Sequence, residues 1–349
     1  MRGFCRLFGD VQKETVEGRG KCSRNFYGMM GENVVKEYIK DKDFESVELD
    51  WDEAVHTIEE AVCCMESGDF VQPLKPYLRF GSDENRIIAM PAYIGKEFDM
   101  AGIKWIASFP GNRRSGNARA SSVLVLNDAG TGKPLAIMNT AYPSIIRTAA
   151  VSGVLIKRYV KSRKKSKVRI GVIGFGPIGR HHVLMCDSIL RGVDAEYCVY
   201  DVEGAEKDGL PGRVQDKMRF ADKWEDAYES CDIAITCTTA RERYIDKKPL
   251  DGSLLLNVSL RDYKKDVFEY VKGGIVVDQW EEVCRENTDI EQFYLSCGLK
   301  KEDTRSVIDV VCGDLMDKLA KGQTIMFNPM GMAVFDIAIG KYLLHRFFS

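Results

Sequence analysis

A glycine-rich turn between two apolar runs has the spacing of a site that binds a dinucleotide. Residues 168–173 lead into Gly174-Phe175-Gly176-Pro177-Ile178-Gly179, and a second apolar run ends at Asp201. In a strand, turn and helix of this kind, the first glycine permits a tight turn and the second lets a pyrophosphate approach the backbone. The third lets helix and strand pack closely, and the helix N-terminus offers N–H groups to the phosphates. The sequence therefore predicts a phosphate-binding turn at 174–179.

The acid at Asp201 indicates which dinucleotide suits this turn. It follows the second apolar run, 22 residues after Gly179. A carboxylate at this point accepts hydrogen bonds from both hydroxyls of the adenosine ribose and repels a 2′-phosphate. NAD is therefore the expected cofactor, in preference to NADP. The alternative is a glycine-rich turn beside a surface aspartate, with no ligand.

Three cations in the first half of the chain are placed where a substrate carboxylate would be held. Lys104 lies in a strand that is apolar on both faces, where an ammonium needs a partner or a cavity. Arg147 falls in the first turn of a helix predicted to be capped by Ser144, where the dipole disfavours a cation unless an anion binds there. Arg79 follows a short segment rich in β-formers. A lysine at a sheet edge and a surface arginine explain Lys104 and Arg79 equally well.

Asp262 is the candidate for proton transfer. It follows the apolar run at 254–259, and ligands of open parallel sheets collect outside the carboxyl ends of the strands. Such an acid can face the nicotinamide and donate or accept a proton. A turn acid paired with Lys264 or Lys265 is the alternative that the spacing leaves open.

The surrounding patterns predict two kinds of sheet. A helix is expected over 51–65, followed by short β-forming segments at 86–90, 103–107, 121–126 and 135–139, which is typical of an antiparallel α+β region. After residue 167, strands at 168–173, 233–238, 254–258 and 275–278 alternate with helices, which predicts a parallel sheet. The fold class is therefore α/β: a Rossmann NAD-binding domain preceded by an α+β domain.

Composition excludes several function classes. The 349 residues are 45% hydrophobic and 29% charged, with a net charge of −2, so no global field recruits nucleic acid or an anionic membrane. The four histidines and eleven cysteines show no ligand spacing, so no metal site is expected. No apolar stretch reaches the roughly 18 residues of a membrane span, and a cytoplasmic protein with a small-molecule partner is expected.

Several short motifs together resemble the ornithine cyclodeaminase/μ-crystallin family. They are Met90-Pro91, Gly102-Ile103-Lys104, Arg147-Thr148-Ala149-Ala150, the glycine-rich turn, and the spacing from Asn257 to Asp262. The resemblance covers approximately residue 50 to the C-terminus. It implies a homodimer in which residues 26–160 and 325–349 form a substrate-binding and dimerisation domain completed by the C-terminal helix. Residues 161–324 would form the Rossmann domain, and residues 1–25 an extension with no assigned role.

The resemblance also implies a role for each matching residue. Asp262 would be the catalytic acid or base, with Lys104 as a second catalytic group. Substrate binding would involve Arg79, Met90, Lys104 and Arg147. Cofactor binding would involve a larger set along the nucleotide unit and its neighbouring loops: Gly174, Gly176, Pro177, Ile178, Gly179, Asp201, Thr238, Asn257, Val258, Ser259, Lys265 and Gly331.

One branch of the family fits three further segments, residues 69–79, 86–91 and 328–332. Its activity is the NAD-dependent cleavage of N-((2S)-2-amino-2-carboxyethyl)-L-glutamate to L-2,3-diaminopropionate and 2-oxoglutarate, a step that supplies siderophores and peptide antibiotics. True cyclodeaminases carry a glutamate two residues before the Met-Pro pair, where this chain has Ile88, which disfavours ornithine as substrate.

Three other activities are compatible with the same residues. An ornithine cyclodeaminase would return the hydride and give proline and ammonia without net NADH. A ketimine or imino-acid reductase would run the half-reaction backwards. A μ-crystallin-like protein would bind nucleotide and a small ligand without turnover, although the presence of both Asp262 and Lys104 argues against it.

Overall fold

Two β-sheets organise the part of the chain that the structure describes. The structure is a computed structural model, and it describes residues 37–45, 47–82 and 84–348. The expected extension at 1–25 lies outside these residues. Within them, an α+β region comes first and a parallel sheet second, which confirms the fold class predicted from the sequence.

The first sheet has the strand order β1-β7-β6-β5-β4-β2, with β3 also paired to β4. Its neighbours are antiparallel except for the parallel pair β1 and β7. Alternation along β4 to β6 turns one face towards the core and leaves the other partly exposed. The strands are β1 Glu37–Lys40, β2 Phe70–Val71, β3 Tyr77–Arg79, β4 Arg86–Ile94, β5 Met100–Ser108, β6 Ala120–Asp128 and β7 Pro134–Asn139.

The second sheet is parallel throughout, in the order β10-β9-β8-β11-β12-β15-β13-β14. From β8 the chain winds outward through β9 to β10 and then returns to the other side at β11. The switch point therefore lies between β8 and β11, where open α/β sheets bind ligands. The strands are β8 Lys167–Ile173, β9 Asp194–Tyr200, β10 Met218–Phe220, β11 Ile233–Thr236, β12 Leu254–Asn257, β13 Ile275–Val277, β14 Arg305–Ser306 and β15 Ile325–Asn328.

Helices cover both sheets, and the longest ones share the main core. The described α-helices are α1 Trp51–Glu66, α2 Tyr142–Arg163, α3 Pro177–Ile189, α4 Gly212–Gln215, α5 Phe268–Val271, α6 Trp280–Val283, α7 Asp289–Cys297, α8 Val307–Val311, α9 Leu315–Lys318 and α10 Ala333–Phe348. Helix α10 packs on α1, α2 and strands β4 to β6. None of these helices has the length and apolar composition needed to cross a membrane.

The end of the chain joins the two sheets. Strand β15 lies inside the second sheet, between β12 and β13, whereas α10 packs against the first. The sequence-based boundary placed all of 325–349 with the first domain. We therefore propose that the chain passes from the Rossmann domain to the first domain between 328 and 333.

The start of α2 differs from the sequence-based expectation. The helix begins at Tyr142 with Ala141 as N-cap, and the hydroxyl oxygen of Thr140 accepts from the N–H of Tyr142 at 3.0 Å. Ser144 is already helical, and its buried hydroxyl has no hydrogen-bond partner. Ser144 therefore does not cap the helix, and Arg147 lies in the second turn instead of the first. The dipole argument for Arg147 is weakened accordingly, because the effect falls off within the first turn.

Candidate active site

The glycine-rich turn is built by close backbone packing. Gly174 has φ +93°, and its N–H donates to the carbonyl of Tyr200 at 2.9 Å. A Cβ on Gly174 would lie 2.6 Å from the carbonyl oxygen of Cys237, and one on Gly179 would lie 2.1 Å from that of Gly174. No residue with a side chain fits at either position unless the backbone moves. The turn at the end of β8 therefore requires glycine at 174 and at 179.

The start of α3 is open on the side that the turn leaves free. Gly176 is the N-cap, Pro177 is the first helical residue, and no side chain caps the helix. A Cβ on Gly176 would meet nothing within 4 Å. The first-turn N–H groups, including those of Ile178 and Gly179, have no intrahelical partner. This open row of donors fits a pyrophosphate.

Asp201 braces the same turn. It follows β9, and its Oδ2 accepts from the backbone N–H of Phe175 at 2.6 Å. Its Oδ1 accepts from the N–H of Glu203 at 2.9 Å. The carboxylate is half-buried, and its oxygens can each accept a further bond. The structure thus brings Asp201 next to the phosphate turn, as a site for an adenosine ribose requires.

Asp262 is buried at the carboxyl end of the parallel sheet. Its Oδ1 accepts from the hydroxyl of Thr238 at 2.6 Å, whereas its Oδ2 is buried with no hydrogen-bond partner. Burial raises the pKa of Asp262, and hydrogen bonds from Ser259 and Thr238 partly oppose that rise. The alternative pairing with Lys264 or Lys265 is not seen among the described contacts, because Lys264 pairs with Asp246 at 2.7 Å and Lys265 is exposed. Asp262 therefore has one oxygen fixed and one available for proton transfer.

Asp289 holds the turn that carries Asp262, and sequence reasoning missed it. Its Oδ2 accepts from the backbone N–H groups of Asp262 and Tyr263 at 3.0 and 3.1 Å. Its Oδ1 accepts from Arg243 at 2.6 Å. Burial raises the pKa of Asp289 to about 6. A T-x-x-E pattern from Thr288 marks the start of α7, but nothing in the pattern shows that Asp289 reaches back under Asp262.

The side chain of Asn257 also stabilises the turn that carries Asp262. The amide oxygen accepts from the N–H of Leu260 at 2.9 Å, and the amide nitrogen donates to Asn328 at 2.8 Å. Leu260 has φ +67°, which is rare for a residue with a branched side chain. Val258 and Ser259 lie beside this turn at the end of β12. The predicted cofactor contact of Asn257 can therefore involve only its backbone.

The predicted carboxylate clamp is already paired inside the protein. Lys104 Nζ lies 2.7 Å from Oδ2 of Asp336 on α10, and Arg147 Nε lies 3.2 Å from Oδ1 of the same residue. Lys104 and Asp336 are fully buried. Burial lowers the pKa of Lys104 to about 7, although Asp336 opposes this shift. No sequence pattern indicates Asp336, which lies 232 residues from Lys104 in the chain.

Lys75 extends this group of charges. Its Nζ donates to the carbonyl of Met330 at 3.2 Å and lies 3.8 Å from Glu282 Oε2. Glu282 is buried and also binds Arg285, which is more exposed. Burial lowers the pKa of Lys75. Lys75 thus ties the segment before β3 to α6 and to the loop after β15.

Gly331 completes the junction between the two sheets. It has φ +84°, and its N–H donates to Oδ2 of Asp278 at 2.7 Å. A Cβ here would lie 2.5 Å from Nη1 of Arg147. Burial raises the pKa of Asp278. We call the whole set the buried cluster, and its members are Lys75, Lys104, Arg147, Asp278, Glu282 and Asp336.

A second region, a cavity of about 390 Å³ lined in part by Asp262, differs from the buried cluster in its charged residues. Four arginines line it together with a single further acid, and its remaining walls come from loops at the carboxyl end of the parallel sheet and from the ends of β4 and β5. We call it the arginine pocket, and its lining residues are Glu84, Arg86, Ser108, Pro110, Arg119, Thr238, Thr239, Ala240, Arg241, Ser259, Arg261 and Asp262.

The remaining predicted residues lie outside the arginine pocket. Arg79 pairs with Glu286, and Met90 is buried opposite Lys104 in the sheet register. Lys265 is exposed and lines a neighbouring cavity that shares Arg241. Lys104 and Arg147 also do not line the pocket. Among the described residues, no group of histidine, cysteine and acidic side chains is placed to hold a metal ion.

Known proteins resemble this chain over most of its length. Residues 37–349 match the model of the ornithine cyclodeaminase/mu-crystallin family. The N-((2S)-2-amino-2-carboxyethyl)-L-glutamate dehydrogenase of Staphylococcus aureus is 34% identical over 84% of this chain and 89% of its own. The solved structure of an archaeal alanine dehydrogenase dimer with bound NAD has a TM-score of 0.73 and 26% identity, covering 88% of this chain and 95% of its own. Thermococcus litoralis Δ1-pyrroline-2-carboxylate reductase shares the fold, with a TM-score of 0.77 at 24% identity, over 88% of this chain and 98% of its own.

Proposed function

The chain belongs to the ornithine cyclodeaminase/mu-crystallin family, and we propose that it is an NAD-dependent dehydrogenase that cleaves N-((2S)-2-amino-2-carboxyethyl)-L-glutamate. The products would be L-2,3-diaminopropionate and 2-oxoglutarate. The observation that carries the proposal is the arginine pocket, in which a buried carboxylate with a free oxygen lies among four guanidinium groups. This arrangement suits an amine substrate that bears several carboxylates. The similarity to the staphylococcal dehydrogenase supports the same choice.

The residues at the switch point fit NAD. Gly174 to Gly179 provide the phosphate turn, and Asp201 would accept the ribose hydroxyls of the adenosine. Thr238 and Ser259, at the ends of β11 and β12, would line the side of the site next to Asp262. NAD, when bound, accepts the hydride from the substrate. Lys265 and Gly331 stay proposed contacts that rest on the family resemblance.

Asp262 would remove the proton of the secondary amine while the hydride leaves the glutamate Cα, which produces an imine. Water then adds to the imine carbon, and the carbon–nitrogen bond of the resulting hemiaminal breaks as the nitrogen takes up a proton. Substrate, NAD⁺ and water are converted to 2-oxoglutarate, 2,3-diaminopropionate, NADH and a proton. The raised pKa of Asp262 suits it to both steps, and Oδ2, which has no hydrogen-bond partner, would be the oxygen that takes up and returns the proton.

Lys104 is the second proposed catalytic group. A pKa of about 7 lets its ammonium release and regain a proton near neutral pH. Its geometry depends on Asp336, which also orients Arg147. The assignment of Lys104, Arg147, Arg79 and Met90 to substrate binding rests on the family resemblance, whereas the assignment of the arginine pocket rests on geometry.

Substrate oxidation by the purified full-length chain tests this function directly. With NAD and N-((2S)-2-amino-2-carboxyethyl)-L-glutamate, we expect one NADH and one 2,3-diaminopropionate for each substrate consumed, measured by absorbance and mass spectrometry. L-Ornithine and L-alanine serve as competing substrates. Formation of proline from ornithine without net NADH would contradict the proposal and identify an ornithine cyclodeaminase activity. Binding of NAD with no turnover of any of these compounds would contradict an enzymatic role in this branch.

The outer face of the first sheet indicates a homodimer. Apolar residues adjoin across the strands on this face, and they remain partly or fully exposed; Trp105 has an exposed fraction of 44%. Exposed apolar patches of this kind mark interaction surfaces. The solved archaeal relative is described as a dimer. We propose that a second copy of this chain covers the face, whose central residues are Ala89, Ile103, Trp105, Val123, Val125 and Ile137.

Sedimentation measures this assembly. The wild-type chain should sediment as a dimer, and Trp105→Glu should shift it towards the monomer. Leu295→Glu is the matched control, because Leu295 is an exposed apolar residue of α7 with an exposed fraction of 72%. A monomeric wild-type chain, or equal behaviour of the two variants, would contradict the proposed interface.

A further inference from the structure

Two arginines of the arginine pocket have no acidic partner among the residues that the structure describes. Arg241 lies 3.4 Å from Glu84, whereas Arg86 and Arg261 form no ion pair there. Asp262 has a raised pKa, so its negative charge is itself disfavoured. Two positive charges therefore lie in a partly enclosed space beside an acid that holds its charge weakly, which favours an anionic ligand.

Two of the arginines are placed to use their donors on a ligand. Arg261 donates from Nε and Nη2 to the backbone carbonyl of Glu286, at 3.2 and 2.8 Å, which fixes one edge of its guanidinium. Arg86 packs over the ring of Tyr77, 5.9 Å from its centroid, and its buried Nε has no hydrogen-bond partner. Neither arginine forms an ion pair with a carboxylate among the described residues. Both guanidinium groups are positioned by neutral partners.

The two arginines also repel each other. Burial lowers the pKa of Arg261, and the charge of Arg86 is the next largest cause. An anion bound between them would remove this repulsion and fill the empty donor of Arg86. The ligand is not the cofactor phosphate, because neither the turn at 174–179 nor Asp201 lines the pocket.

We propose that Arg86 and Arg261 bind the γ-carboxylate of the glutamate part of the substrate. The pocket would then select amines with an additional carboxylate over the monocarboxylic amino acids used elsewhere in the family. This proposal rests on the proposed function for the identity of the substrate, but the anion site itself does not depend on turnover.

A pair of substrates separates this role from a general loss of activity. We compare N-((2S)-2-amino-2-carboxyethyl)-L-glutamate with the analogue in which glutamate is replaced by L-2-aminobutyrate, which lacks only the γ-carboxylate. Arg86→Gln should lower kcat/KM for the glutamate compound by about 10- to 100-fold, because a charge-assisted hydrogen bond is lost. It should change kcat/KM for the aminobutyrate compound by less than about twofold, and Arg86→Lys should restore part of the loss. An equal loss for both compounds would overturn the proposal.

Binding without turnover provides an independent measurement. Citrate, used as a tricarboxylate probe without NAD, should raise the Tm of the wild-type chain and of Arg191→Gln, a variant of an exposed arginine after α3. It should raise the Tm of Arg86→Gln and Arg261→Gln much less, where each increase is measured from the Tm of the same variant without citrate. If citrate stabilises the proteins in this order but the glutamate compound is not turned over, the anion site is supported and the proposed function is contradicted. Equal stabilisation of all four proteins by citrate would overturn the site, whether or not turnover occurs.

Discussion

In the buried cluster, Lys104 and Arg147 share the two oxygens of Asp336, whereas Arg86 and Arg261 of the arginine pocket have no carboxylate partner in the described part of the chain. Both regions bring cations together at the boundary between the two sheets. The buried cluster matches its three cations with three carboxylates, and all of its side chains are buried except that of Arg147, which is 14% exposed. The arginine pocket is a cavity, and two of its arginines have no ion pair with the described acids. The comparison indicates that cations of the same type are held by carboxylates of the protein in one region and left open to an anionic ligand in the other.

This difference follows from the energy of charge burial. A charge removed from water is tolerated only with a partner, so the buried cluster must be balanced for the chain to fold. An open pocket keeps part of its hydration and tolerates an excess of charge until a ligand binds. Substitutions in the buried cluster should therefore lower stability first, and substitutions in the arginine pocket should lower activity first.

Asp262→Asn should have the largest effect on activity. It removes the proton acceptor but keeps the shape of the side chain, and general acid–base catalysis contributes about 10²- to 10⁴-fold to a rate. We expect kcat to fall by that amount while the Tm does not decrease, because the amide relieves the burial of a charge. The measurement combines NADH formation with thermal unfolding. Asp246→Asn, which breaks the exposed pair with Lys264, is the control and should keep full activity.

Asp336→Ala should have the largest effect on stability. It leaves Lys104 and Arg147 buried without their shared partner, and breaking a buried pair in this way costs about 3–5 kcal/mol. Urea denaturation should show this loss in the free energy of unfolding. Asp314→Ala breaks the exposed pair with Lys318 and should leave the unfolding curve unchanged. Equal effects of the two variants would remove the distinction between the buried cluster and ordinary surface pairs.

The contrast between the two regions also explains what the sequence predicted. The glycine-rich turn and Asp201 are local features, in which spacing alone determines which atoms meet, and the structure places them together. The strand segments from 86 to 139 were predicted within a few residues at each end, because alternation of apolar residues is also local. Asp262 was found from its position after a strand, which is a property of the parallel sheet.

The charge partners were not predictable, because they join residues that are distant in the chain. Asp336 meets Lys104 across 232 positions, and Asp289 meets Asp262 across 27. Neither pairing leaves a periodic signal. The same limit applies to the arginine pocket, which brings Arg86 at the start of β4 together with Arg119, Arg241 and Arg261 from separate parts of the chain. The sequence indicated that Lys104 needs a partner or a cavity and that a bound carboxylate would suit Arg147, but it did not show that Asp336 lies between them.

The buried cluster should also make stability depend on pH. The ordinary pKa of Lys104 is 10.5, and burial lowers it to about 7 in the folded chain, with the pKa of Lys75 lowered in the same direction. Between these values the unfolded chain binds more protons, so the free energy of unfolding rises with pH, by up to about 1.4 kcal/mol per pH unit for each lysine. Urea denaturation from about pH 7 to about pH 9 measures the slope. Lys104→Met should flatten it, and an unchanged slope in that variant would assign the pH dependence to other groups.

Arg241→Gln should have the smallest effect. Arg241 pairs with Glu84, and its side chain is 71% exposed. An exposed ion pair contributes little to folding, so the unfolding curve should not move. Its charge still attracts an anionic substrate over about 10 Å at moderate ionic strength. We expect KM to rise about two- to fivefold at low salt, with kcat unchanged, and the difference from wild type to vanish at high salt. A loss of kcat that persists at high salt would contradict this role, because it would place Arg241 in direct contact with the substrate. Arg241 would then act through a short-range contact, as the paired residues of the buried cluster do.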